Sequence, residues 1–222
     1  MNWHVGMKVG LLVAVLCTAA CSDKDDPGTT DDPGAGAERP GMGVSTKPPE
    51  GAPFSLPAGV AWINPTIKSY NAVFPEKCHD KKESDGRGSG DMVRLCLALR
   101  NTTTQIIHVS FPSGMIFISE SLDVQNGILI QGETVELPPG QDFYVPLFLY
   151  CLNADRVGSF PDDEFRPGPI TQYKDFQDFF AQLANKKLPP GSMDLQHAVW
   201  NLADGDGLDE TDRTTINGLG PK

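Results

Sequence analysis

Residues 145–152 carry an apolar or aromatic side chain at every position, and this run constrains the fold more than any other stretch of the chain. Successive side chains of a β-strand point to opposite faces of its sheet, so a strand of this composition is buried on both faces. It therefore needs a hydrophobic layer on each side. We predict a long strand at residues 142–152, entered through a corner at residues 138–141.

Shorter strands are predicted upstream of this long strand. Residues 93–99 alternate apolar and other side chains, and a polar Asn-Thr-rich turn follows at residues 101–104. Further short runs bounded by turn residues lie at residues 105–111, 115–119, 127–131 and 133–137. Short strands at this spacing favour an antiparallel β-sandwich.

Three turn motifs in this region resemble those of bacterial immunoglobulin-like modules. They are Asn101-Thr102, Phe111-Pro112-Ser113-Gly114 and Pro139-Gly140-Gln141. The resemblance implies an antiparallel immunoglobulin-like β-sandwich, which we place at residues 54–152. One group of such modules inhibits proteases, so a protease-inhibitor-like or structural envelope module is one alternative function.

The last third of the chain predicts helices that cover the second face of the long strand. Apolar residues recur at helical spacing over residues 173–183, with Thr171 as a plausible N-cap. A second helix is predicted between Ser192 and Gly205, and a third begins after Asp209. The predicted fold class is therefore α+β and mainly β, with a small C-terminal helical cap at residues 153–222.

The N-terminus predicts export and anchoring. An apolar run at residues 9–16 is too short to span a bilayer, which takes about 20 residues, and it predicts a signal peptide at residues 1–20. The sequence Thr18-Ala19-Ala20-Cys21 resembles a lipobox, which implies that Cys21 is diacylated and becomes the new N-terminus. Ordinary secretion would cut the same bond.

The residues after Cys21 predict a surface location. Residues 22–26 resemble the acidic export signal of Bacteroidota surface lipoproteins, which implies display on the outer face of the outer membrane. The alternative is the solvated start of a spacer. Residues 21–53 are dense in Asp, Pro, Gly and Thr, and we expect a lipidated Cys followed by a disordered acidic tether.

Composition and motifs favour a non-enzymatic binding or adhesion role. The net charge of −11, with no basic stripe, disfavours nucleic acid as a partner. The sequence lacks the metalloprotease, nucleophile-elbow and phosphate-loop patterns, so we expect no enzyme activity and no cofactor. The expected partners are a membrane, through the lipid anchor, and a protein or glycan ligand.

Three cysteines remain in the mature chain besides Cys21. Cys78 and Cys96 flank a polar loop and are the candidate disulfide, although either could pair with Cys151 instead. The cysteine left over could be buried as a small hydrophobic residue. Alternatively, Cys151 is in the disulfide and a different cysteine is free.

A third interpretation of Cys151 is covalent chemistry. Tyr150-Cys151-Leu152 and Gln196-His197-Ala198-Val199-Trp200 resemble the two halves of thioester-domain adhesins. The resemblance implies a thioester between Cys151 and Gln196 that acylates a nucleophile on a host surface. The same helix motif also fits plain packing, with Ala198 favouring the helix and Trp200 filling space.

Acidic residues near the C-terminus suggest two readings. Asp204, Asp206 and Asp209 are candidate calcium ligands, because oxygen ligands at alternating positions suit this ion. The alternative is a helix that ends at Gly205, followed by an acidic first turn of the next helix. His197 is read either as a base beside Gln196 or as a solvent-facing helix residue.

Overall fold

The computed structural model of the chain describes residues 36–70, 78 and 86–222. The predicted signal peptide, Cys21 and the acidic residues after it lie outside the described residues. The strands are β1 (Val60–Trp62), β2 (Ile67–Ser69), β3 (Arg87–Gly88), β4 (Val93–Asn101), β5 (Ile107–Phe111), β6 (Met115–Ser119), β7 (Gly127–Ile128), β8 (Glu133–Leu137), β9 (Asp142–Cys151) and β10 (Glu164–Ile170). The helices are α1 (Lys174–Leu183), α2 (Met193–Ala203) and α3 (Glu210–Gly218). Among the described helices, none is long and apolar enough to cross a membrane.

Six of the strands close into a barrel. They pair in the order β4, β2, β10, β6, β7 and β9, and β9 returns to β4 in an antiparallel ladder that runs from Val93 opposite Leu149 to Arg100 opposite Asp142. Strands β5 and β8 form a separate two-stranded sheet. The mainly β body with three helices is confirmed. The expected immunoglobulin-like sandwich of two facing sheets is corrected to a closed barrel, because β4 and β9, the first and last strands of this order, pair with each other.

The two faces of β9 are covered as its sequence predicts. Its inward side chains, including Leu147 and Leu149, pack with those of β4, β6 and β10 in the barrel core. Its outward Tyr150, together with Leu152, packs on the helices. Burial of one large apolar side chain stabilises a fold by about 1.5–3 kcal/mol. Side chains of β9 provide such burial in both hydrophobic clusters.

The helices begin where local capping predicts, with one exception. The Ser192 side chain accepts a hydrogen bond from the Leu195 N–H, and Asp209 forms a reciprocal capping box with Asp212 at the start of α3. The expectation that Thr171 caps α1 is wrong. The N-cap of α1 is Tyr173, which makes no side-chain capping bond, and Thr171 is buried before the helix.

The predicted boundary between sandwich and helical cap at residues 152/153 is also corrected. Strand β10 lies beyond that boundary, yet it pairs with both β2 and β6 inside the barrel. Its Pro167-Gly168-Pro169 sequence interrupts the alternation that marks a strand, and the ladder with β6 shifts register at this point. The helical layer therefore begins only after Ile170.

The expectation of a disordered tether as far as residue 53 is wrong for the part that the structure describes, which begins at residue 36. Residues 36–45, here called the strap, pack on the body, with Arg39, Met42 and Ser45 buried. The Arg39 guanidinium donates to the Leu202 carbonyl at 2.7 Å and lies 2.9 Å from the Asp175 carboxylate. Arg39 makes these bonds, and Met42 is buried in the hydrophobic cluster of the helices. The composition of the segment, dominated by Asp, Gly and Pro, does not indicate either role.

Two buried asparagines hold the middle of the strap against the barrel. The side-chain amide of Asn126 donates to the Gly41 carbonyl at 2.9 Å, and that of Asn153 donates to the Gly43 carbonyl at 2.8 Å. The Gly43 N–H donates in turn to the Leu152 carbonyl at 2.9 Å. The strap thus provides hydrogen-bond partners for the Leu152 carbonyl, just after β9, and for two buried side-chain amides.

We expect Arg39→Ala to lower the free energy of unfolding by about 2–3 kcal/mol, because it removes a buried cation that pairs with the Asp175 carboxylate and donates to the Leu202 carbonyl. Urea denaturation measures this change. The matched control is Lys47→Ala, which removes an exposed ion pair with Glu38 and should cost less than about 1 kcal/mol. Equal effects of the two substitutions would show that the strap is not docked.

Candidate functional site

The cysteines resolve into one disulfide and one buried thiol. Cys78 and Cys96 form a disulfide with a Cα–Cα distance of 5.4 Å, on the outer face of the barrel beside Tyr70 and Phe148. Cys151 is free and fully buried. The candidate disulfide and the burial of the remaining cysteine as a small hydrophobic residue are both present in the structure.

The structure brings Cys151 and Gln196 together at the contact between barrel and helices. The Cys151 N–H donates to Gln196 Oε1 at 2.9 Å, and Gln196 Nε2 donates to the Cys151 carbonyl at 2.9 Å. Both residues are buried, with Gln196 only 2% exposed. The side-chain amide therefore pairs with one strand residue as a neighbouring strand would.

The position of Gln196 follows from where β4 begins. The ladder between β4 and β9 ends at the pair Val93–Leu149, so β4 offers no residue opposite Cys151. On its other edge β9 bonds through Leu152, whose N–H donates to the Asn126 carbonyl at 3.0 Å. Backbone groups alternate along a strand, so those of Cys151 face the edge that β4 has left open. The carboxamide of Gln196 fills that gap.

The chemistry open to this pair is limited by its surroundings. The Cys151 side chain belongs to the barrel core, and burial raises the pKa of its thiol well above the ordinary value. A raised pKa disfavours the thiolate, which is the nucleophilic form. As arranged, the pair closes the β-ladder. Condensation to a thioester would give up the hydrogen bond from Gln196 Nε2.

His197, the neighbour of Gln196, faces α3 rather than β9. It lines a cleft between α2 and α3, and its Nδ1 lies 3.1 Å from the buried Asp212 carboxylate. The hydrogen bond to Asp212 raises the pKa of His197. Burial alone would raise the pKa of Asp212, but hydrogen bonds from His197, Asn201 and the Asp209 backbone hold it below its usual value. His197 is half exposed and has no contact with Cys151 among its hydrogen bonds, so the reading as a solvent-facing helix residue fits better than that of a base for Cys151.

The predicted calcium ligands do not form one group. Within the described part of the chain, the three residues whose ligand atoms lie within 4.8 Å of one another are His197, Asp209 and Asp212. Asp204 and Asp206 lie outside this group. Asp209 is engaged in the capping box of α3, and Gly205, with a φ of 82°, follows the end of α2. The arrangement matches the helix-capping alternative.

The structure also exposes a group of apolar side chains that the sequence analysis does not predict. Three loops expose four large apolar side chains, here called the loop surface: Val44, Leu122, Val157 and Phe160, at 75, 64, 49 and 59% exposure. The signal for them was weak, because each is a single apolar residue within a polar or Gly/Pro-containing loop sequence. Single exposed apolar residues are ordinary on protein surfaces, whereas several of them close together are typical of an interaction site.

No protein-family model matches this chain, and neither the curated proteins nor the solved structures include a significantly similar one. The resemblances to thioester-domain adhesins and immunoglobulin-like modules depend on short motifs of this chain alone. The function of the chain is therefore inferred from its own sequence and contacts.

We expect Gln196→Leu to reduce the free energy of unfolding by about 2–4 kcal/mol, because it leaves the N–H and the carbonyl of Cys151 buried without partners. Equilibrium urea denaturation gives the value. Gln182→Leu is the matched control, since it removes only an exposed bond to Asp178 and should change stability by less than about 0.5 kcal/mol. A Gln196→Leu protein as stable as the control would rule out the ladder-closing role.

Proposed function

We propose that this chain is a lipid-anchored protein of the outer membrane, displayed at the cell surface, with a non-enzymatic binding or adhesion role. The observation that carries the proposal is Cys21, which follows an apolar run and the small residues Ala19 and Ala20. Acidic residues follow immediately, as in the export signal of surface lipoproteins. Diacylation of Cys21 would hold the chain on the membrane without a spanning segment.

The described fold supports this arrangement by providing a fixed point of attachment. Gly36, where the strap begins, is fifteen positions after Cys21, and even a fully extended chain of this length spans no more than about 54 Å. From Gly36 onward the strap is bonded to the body. The lipid would therefore connect to the helical layer at a defined place.

Replacing Cys21 by Ala should abolish fatty-acid labelling and move the protein from the membrane fraction to the soluble fraction, because it removes the acylated sulfur. Metabolic labelling with palmitate and membrane fractionation measure the two effects. Cys17→Ala, which changes a cysteine four residues earlier, is the matched control and should leave both unchanged. A Cys21→Ala protein that remains labelled and membrane-bound would overturn the anchor.

Surface display is tested separately with the acidic residues. Protease treatment of intact cells should cleave the wild-type protein, and replacing Asp23, Asp25 and Asp26 by Ala should protect it while labelling at Cys21 persists. Cleavage of this variant on intact cells at the wild-type rate would contradict the export signal.

A second candidate function, the covalent adhesin, is favoured by the contact between Cys151 and Gln196. In that reaction the Cys151 sulfur would bond to the Gln196 side-chain carbonyl carbon, the carbon–nitrogen bond would break, and the thiol proton would leave with the nitrogen as ammonia. An amine on a host surface would then displace the sulfur, forming an amide and restoring the thiol. The hydrogen bond from the Cys151 N–H to Gln196 Oε1 would stabilise charge on that oxygen.

If the thioester forms, the intact mass of the folded protein should be lower by one ammonia, and methylamine should add at Gln196 while Cys151 becomes alkylatable. Mass spectrometry of native and methylamine-treated protein measures both. Gln196→Glu is the matched control, because it keeps the shape and lacks the amide nitrogen that leaves. A native protein of full mass that is inert to methylamine would exclude the covalent adhesin and leave the non-covalent binder.

A further inference from the structure

The loop surface offers the chain a binding face of its own. We propose that Leu122, Val157, Phe160 and Val44 dock a polypeptide partner whose contact region is apolar and ringed by lysine or arginine. This inference rests on the binding role proposed above and adds the face and the chemistry of the partner. Four observations support it: the loops are held together, the apolar side chains are exposed, one residue is aromatic, and the surroundings are acidic.

Backbone hydrogen bonds hold the loop that carries Leu122 to the loop that carries Val157. The Val157 N–H donates to the Asp123 carbonyl at 3.0 Å, and the Gln125 N–H donates to the Val157 carbonyl at 2.9 Å. These bonds form an isolated β-bridge between Val124 and Val157. Val157 thus lies in paired backbone and Leu122 lies two residues before its bridge partner, Val124, which lowers the entropy lost when a partner binds.

The strap supplies the third loop. The Arg156 guanidinium donates to the Ser45 carbonyl at 2.6 Å, which fixes Val44 beside the loop that carries Val157. Arg156 also accepts, through its backbone carbonyl, a bond from the buried Gln125 side chain at 2.8 Å. The position of Val44 relative to the other two loops is therefore set by direct bonds.

Phe160 is held by its own backbone contacts. Its N–H donates to the Asp163 carboxylate at 2.7 Å, and its carbonyl accepts a bond from the Ser69 hydroxyl on β2. Nearby Asp162 is the non-glycine residue with a positive φ, 71°, among the described residues. The backbone of Phe160 is therefore held in place while its ring is exposed, and aromatic side chains are enriched at protein interfaces.

Charge selects among the surfaces that could cover these loops. Aspartates flank the apolar side chains at positions 123, 155 and 163, and the arginine beside them in the sequence is Arg156. The other basic side chains near these loops are each paired with a glutamate: Lys47 with Glu38, Lys68 with Glu164 and Arg166 with Glu120. This excess of negative charge attracts a cationic partner. It repels a second copy of the same face and an anionic lipid surface, so a basic polypeptide fits best.

The test uses the full chain carrying Cys21→Ala, so that lipid plays no part in any measurement. The probe is an amphipathic peptide of about 18 residues made of leucine and lysine, which forms a helix with one apolar and one basic face. Its affinity is compared with those of a serine–lysine peptide and a leucine–glutamate peptide. We expect the leucine–lysine peptide to bind at least about tenfold more tightly than either.

Variants locate the binding face. The double substitution Leu122→Ser and Phe160→Ser should weaken binding of the leucine–lysine peptide by at least about tenfold. Ile106→Ser is the matched control, because Ile106 is 56% exposed at a turn elsewhere on the body, and it should leave affinity unchanged. Equal urea midpoints of the three proteins show that each is folded.

Four results would overturn the proposal. Equal binding of the serine–lysine peptide would mean that net charge alone is recognised, and binding unchanged by the double substitution would place the site elsewhere. Binding to vesicles of phosphatidylcholine and phosphatidylglycerol that the double substitution abolishes would identify a lipid surface as the occupant. Dimerisation that the double substitution abolishes would identify a second copy. Because the chain lacks Cys21 throughout, these results are independent of whether the lipid anchor exists.

Discussion

The burial of β9 on both faces is the constraint on which the rest of the structure depends. Its inward side chains need the closed barrel, and its outward side chains need the helices. Because each face already belongs to a different hydrophobic cluster, neither the barrel nor the helical layer can be removed without exposing one side of the same strand. The two layers therefore stabilise each other through β9, as in other layered folds built around one shared element.

The end of β9 has an edge that β4 leaves unpaired, and α2 covers it through Gln196. Strand β4 stops two residues short of Cys151, and a bare N–H and carbonyl in that position would cost about 1–3 kcal/mol each if buried without partners. Gln196 supplies both a donor and an acceptor from one side chain, which an aliphatic residue cannot do. Two hydrogen bonds to the Cys151 backbone thus explain why a glutamine is buried at position 196. Any covalent reaction between the two residues must overcome these hydrogen bonds.

The sequence predicted most of the elements that have regular periodicity. The strands from β4 to β9 and the stripes of α1 and α2 were recognisable because apolar residues repeat with the period of the element. Strand β10 was not recognisable, because Pro167 and Pro169 cannot donate hydrogen bonds to a β-ladder and are therefore untypical of a strand inside a sheet. Barrel closure depends on which strand edges meet, and that information is spread over pairs distant in sequence.

The candidate site was predictable in part for similar reasons. The resemblance of the motifs around Cys151 and Gln196 to thioester domains implied that the two meet, while plain helix packing was the alternative. The two residues do meet, through hydrogen bonds, where α2 covers the outward face of β9. Their bonding pattern was not predictable, because it depends on where β4 begins. Arg39 was missed because its partners, Asp175 and the Leu202 carbonyl, lie far away in the sequence.

The strap links the proposed anchor to the proposed binding face. Arg39 ties it to the helical layer, while Ser45, next to Val44, accepts the bond from Arg156 at the loop surface. A partner that contacts Val44 therefore binds the docked form of the strap more tightly than an undocked form. By linkage, docking of the strap and binding of the partner must favour each other by the same free energy. Tension applied through a lipid at Cys21 would act first on the strap, and hence on the same equilibrium that the partner stabilises.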